Sequence, residues 1–88
     1  MANTSLFETT TATAAVNRLQ IATLASDLSR LVTLLTADIE HEETRAGVHD
    51  LEDPAYPVLA RVLRARRENI RATIATLEAV VHRAPKAA

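Results

Sequence analysis

The sequence predicts an all-α fold, one long antiparallel hairpin of two helices. Three observations carry this. The only Gly and all three Pro fall in two places, Gly47 to Pro57 and Pro85, and so few breakers leave two long uninterrupted segments. On both sides of the first place apolar residues recur in steps of three and four, the spacing of one helix face. Strict alternation of apolar and polar residues is sustained nowhere, so no strand is expected.

Helix 1 is expected over about residues 6–46 of a single domain, 1–88. Ser5 followed by Glu8 has the spacing of a capping box, in which two side chains satisfy the orphan N–H groups of a first turn. The stripe then runs Leu24, Leu28, Leu31, Leu35, with Ile21, Ala25, Val32 and Ile39 on its flanks. The Thr-rich stretch Thr9 to Thr13 is the weak part, because β-branched side chains lose rotamer freedom in a helix. Gly47 supplies the left-handed residue that ends a helix, and Arg45 puts a cation in the last turn where the dipole favours it.

The loop covers 47–56, with Asp53-Pro54 as a turn start. Helix 2 is expected over 57–82, with Pro57 at its first position, where a missing N–H costs nothing. Its stripe is Leu59, Leu63, Ile70, Ile74, Leu77 and Val81, flanked by Val62, Thr73 and Val80.

Two antiparallel helices share one seam, and stripes this wide exceed what one partner helix covers. Helix 1 also outruns helix 2 by more than a dozen residues. A homodimer solves both problems: two hairpins make a four-helix bundle, and the N-terminal overhangs pack on the other subunit.

Charged residues interrupt the stripes at Asp38 and Glu42 on helix 1 and at Arg66 on helix 2. With the loop centred near residue 52, antiparallel pairing sets Asp38 level with Arg66. The expectation is a polar core layer of Asp38 and Arg66 that fixes helix register. The acidic run Asp38, Glu40, His41, Glu42, Glu43 lacks the inward Glu-x-x-His pairs of di-iron bundles, so no metal site is assigned and the run reads as a solvated end.

The functional classes narrow by exclusion. A formal charge of −1, from 10 Lys+Arg against 11 Asp+Glu, gives no single-sign field for nucleic acid or a membrane surface. No apolar window reaches the length of a spanning helix, and the N-terminal residues have neither a basic nor an apolar leader region. The expected location is therefore cytoplasmic. Without Cys, a Gly-rich loop or a Ser-His-acid arrangement, neither catalytic residues nor cofactors are assigned, and no small-molecule substrate is inferred. Large apolar residues outside the stripes are the candidate partner contacts: Leu6 and Phe7 on the N-terminal segment, Leu51 and Tyr56 at the loop end.

The reading is a non-enzymatic helical interaction module, an adaptor, chaperone or regulator, that acts as a homodimer and can take an unidentified protein client. In architecture alone, two long helices joined by a Pro-containing turn, the chain resembles type III secretion needle subunits and their chaperones, without a diagnostic motif. That resemblance implies the alternative, a polymerising structural or secretion-type hairpin subunit. A carboxylate-rich metal-binding bundle is the third class.

Overall fold

The computed structural model describes residues 2–83, with side chains from residue 12 onward. Two helices, α1 (Ala2–Ala46) and α2 (Val58–His82), pack against each other as an antiparallel hairpin. At 1.5 Å per residue, α1 spans about 68 Å and α2 about 38 Å. The molecule measures 69 × 21 × 14 Å, so α1 alone sets its length. Its radius of gyration is 20.2 Å, against about 12 Å for a compact chain of this size.

Two boundaries differ from expectation. Helix 1 begins at Ala2, so Ser5 lies inside the helix and does not cap it; Ala2, Asn3 and Thr4 already extend the helical run. Pro57 is the N-cap of α2 and not its first helical residue, with φ −59° and ψ 129°. That extended ψ still lets the Pro57 carbonyl accept the first intrahelical bond, from the Arg61 N–H at 3.1 Å. The connection accordingly runs 47–57, one residue longer than expected.

Threonine is tolerated in these helices because its hydroxyl finds a local acceptor. Thr23, Thr36 and Thr73 donate to the carbonyls of Leu19, Val32 and Asn69, four residues back, at 2.8–3.1 Å.

Among the described residues, the buried apolar side chains are Ala25, Leu35, Ile39, Tyr56 and Ala60. All but Ala25 lie near the loop end. Ile39 is 1% exposed and Ala60 fully covered. Leu28, Val32, Leu63, Ile70, Ile74 and Leu77 are half-buried. The seam therefore follows the Ile21, Ala25, Val32, Ile39 edge of the helix 1 stripe and leaves the other edge uncovered, with Leu24 at 48% exposure.

Candidate functional site

The loop end holds a connected polar network, and the local sequence explains it. Gly47 adopts φ 71°, which a residue with a Cβ reaches only at a cost. Its N–H donates to the carbonyls of Glu43 (2.8 Å) and Thr44 (3.2 Å), and the Val48 N–H donates to Glu43 (3.2 Å), the Schellman pattern that satisfies the last carbonyls of α1. Two aspartates then lead two successive turns. Asp50 Oδ1 accepts from the Glu52 N–H (2.9 Å) and its carbonyl from the Asp53 N–H (3.1 Å). Asp53 repeats the device with Ala55 (2.8 Å) and Tyr56 (3.0 Å), and Pro54 supplies the fixed φ of the second turn.

These turns deliver Tyr56 back onto the helices, where it is 3% exposed. Its hydroxyl donates to Glu43 Oε2 at 2.7 Å and accepts from Arg64 Nε at 2.7 Å. Arg64 also donates through Nη2 to the same Glu43 oxygen at 2.9 Å, and His49 Nδ1 lies 3.5 Å from Glu43 Oε1. Arg61 stacks over the Tyr56 ring at 5.3 Å and donates to the Leu51 carbonyl at 2.9 Å. One carboxylate thus ties α1, the loop and α2 together. The Arg64 guanidinium, then the Tyr56 hydroxyl, hold the Glu43 carboxyl down at about 2, from an ordinary 4.5. Arg64 is raised in turn by Glu43 and Tyr56. One turn further along the seam, Arg67 donates to Thr36 Oγ1 at 3.0 Å.

The expected Asp38–Arg66 core layer is not formed in the hairpin: both side chains are exposed. The charged layer that does cross the seam is Glu43–Arg64. The reason is helical phase. Stepping by three and four from Leu35 gives Asp38 and Glu42, whereas stepping by four from the fully buried Ile39 gives Glu43, and from Ala60 gives Arg64. Tyr56 is likewise a correction, since a side chain this buried, with both hydroxyl valences used, is a structural strut and not an open partner contact. Leu51 is 39% exposed. The side chains of Leu6 and Phe7 lie outside the described residues.

The second notable feature is apolar. Val16, Leu19, Leu24, Leu34, Val58, Leu59, Val62 and Val80 are all large and exposed. Among the described residues, no three His, Asp or Glu side chains come together closely enough to hold a metal ion, and no helix is long and apolar enough to cross a membrane. No known protein family, curated protein or solved structure matches the chain.

Proposed function

We propose that the chain is a non-enzymatic helical interaction module that works as a homodimer, two hairpins packing into a four-helix bundle in the cytoplasm. The observation that carries the reading is the set of half-exposed leucines, Leu24 and Leu59 foremost, that the seam leaves uncovered on both helices. A surface this apolar marks a contact site. The thin seam supports the same reading, because a chain this short buries too little of its own surface to be robust alone. The overhang of α1 beyond His82, around Leu6 and Phe7, then serves a protein client.

Light scattering tests the proposal directly. At micromolar concentration the purified protein is expected to show twice its 9.6 kDa chain mass. Leu24→Asp and Leu59→Asp alter side chains that are half in water in the single hairpin, so on a monomer each would be close to neutral. In the dimer each is expected to give folded or partly unfolded monomers. A wild-type protein that is a folded monomer at this concentration overturns the proposal, and an open ladder of masses favours the polymerising subunit.

A further inference from the structure

Part of the uncovered apolar surface is ordered along one flank of the hairpin, while the exposed Val16, Leu19 and Leu34 lie about 140–160° around α1 from the buried Ile39 line. With 3.6 residues per turn, Leu24, Leu31 and Asp38 form a line about 60–100° to one side of the buried Ile39 line, while Glu43 and Thr36 lie about 40–60° to the other. On α2, Leu59, Arg66, Thr73 and Val80 form a line about 60–120° to one side of Ile74, with Arg64 and Arg67 on the other. Glu43 meets Arg64 and Thr36 meets Arg67, so those polar flanks are the same flank of the hairpin. The two seven-residue lines therefore share the opposite flank, which carries the uncovered Leu24, Leu59, Val62 and Val80.

Two unpaired charges of opposite sign stand on those lines, Asp38 on α1 and Arg66 on α2, whereas Glu42 and Asp27 on the same flank are paired along α1 with Arg45 and Arg30. Both are exposed, and neither has an ion-pair partner among the described residues. They are also at one height: Asp38 lies between Thr36 and Glu43, and Arg66 between Arg67 and Arg64, the residues whose contacts fix the register.

Resting on the homodimer reading above, we propose that the second copy docks on this flank in parallel, with both loops at one end, and that Asp38 of each copy pairs with Arg66 of the partner subunit. The symmetry decides the orientation. A two-fold axis along the bundle places α1 against α2 of the partner subunit and preserves height. It thereby brings Asp38 to the partner's Arg66 twice, and Leu24 beside the partner's Val80. An axis across the bundle stacks α1 on α1 and α2 on α2, which leaves Asp38 and Arg66 on different helix pairs and both charges buried without a partner, a costly arrangement.

The test uses charge reversal. Asp38→Arg gives a chain with two cations on these lines, and Arg66→Asp a chain with two anions, so each homodimer would set like charges together at two places. Each variant alone is expected to raise the dimer dissociation constant by about a hundredfold or more, measured by light scattering or sedimentation with helicity checked by circular dichroism. Mixed one to one, the two variants are expected to recover a dimer of wild-type mass and affinity that contains one of each chain, because both contacts are then restored. An ion pair inside one chain could not be rescued by mixing.

Orientation is read separately from Glu52→Cys, the sole thiol in an otherwise Cys-free chain. Donor and acceptor dyes on the two loops are expected to transfer energy strongly, whereas an antiparallel dimer separates the loops by about the 38 Å length of α2 or more. A monomeric wild type defeats the homodimer reading and this proposal with it. A dimeric wild type whose reversed variants keep wild-type affinity, fail to rescue each other, or show distant loops defeats the proposal and leaves the homodimer standing.

Discussion

Replacing Tyr56 by Phe removes one oxygen atom and leaves the buried ring, which isolates the polar work of the loop-end cluster. That oxygen makes two short hydrogen bonds, donating to the Glu43 carboxylate and accepting from the Arg64 guanidinium, each at 2.7 Å. Hydrogen bonds to charged groups contribute about 1.5–3 kcal/mol each. Two of them set an upper bound of about 6 kcal/mol, but Glu43 and Arg64 keep their direct 2.9 Å contact, which retains part of the network. The expected loss is about 2–3 kcal/mol, or on the order of 10–20 °C in melting temperature for a domain of this size. The assay is urea and thermal unfolding followed by circular dichroism. Chain concentration is held fixed, because an assembling protein melts at a concentration-dependent temperature. Below pH 2 the carboxyl is protonated in both proteins and the difference between them should shrink. A variant within about 0.5 kcal/mol of wild type at neutral pH, the range of an ordinary surface change, would refute the cluster as the strut of the hairpin.

Other perturbations have equally definite signs. Gly47→Ala meets no atom within 4 Å, so its expected cost, about 1–2 kcal/mol, is that of placing a Cβ at positive φ; unchanged stability would mean that the turn relaxes. Ile39→Ala empties the most buried large side chain and should cost about 2–5 kcal/mol, enough to unfold much of so thin a structure in urea titration. Acid titration should also weaken the fold. Because the folded-state value of Glu43 is held below its ordinary 4.5, its contribution is complete above pH 4.5 and is lost as pH falls toward about 2. Glu43→Gln should flatten that part of the profile, and an unflattened profile would assign the acid sensitivity to other carboxyls.

The helices, their order and the turn were legible because each rests on a local rule. One Gly at the end of one periodic segment, and Asp-Pro before the next, leave little choice of topology. The buried charge was placed on the wrong edge of the stripe, because a hydrophobic stripe states which residues are apolar and not which edge of the stripe the partner takes. Ile39 counted as a flank residue in the sequence, yet it is the centre of the seam, and that shift exchanges Asp38 for Glu43 and Arg66 for Arg64. The role of Tyr56 was hidden for a related reason. Its burial depends on two Asp-led turns folding the chain back over the end of α2, a path set by side-chain to backbone bonds that no periodicity encodes. A usable signal was present: the only Tyr of the chain stands next to a Pro before a helix carrying Arg61 and Arg64 on its first two turns.

The loop-end cluster and the flank carrying Leu24 and Val80 bear on each other through register. A seam of alanines and half-buried leucines offers many nearly equal ways for two helices to slide by one turn or rotate, since non-directional contacts specify phase weakly. The Glu43, Tyr56 and Arg64 contacts admit one height and one rotation, because each uses a specific donor and acceptor. With that phase fixed, the lines through Leu31 and Arg66 fall on one flank; a rotation of α2 by about 100°, one residue's worth, would carry Val80 and Arg66 away from Leu24 and Asp38. A polar network of modest net stability thus has its main consequence at a distance from itself, in setting which apolar residues stand together on the surface. This separates two effects of Tyr56→Phe that stability alone would merge. If the network sets phase, dimer affinity should fall even at temperatures and concentrations where circular dichroism shows the hairpin fully helical. If it contributes only to folding, affinity should track the folded fraction and nothing more.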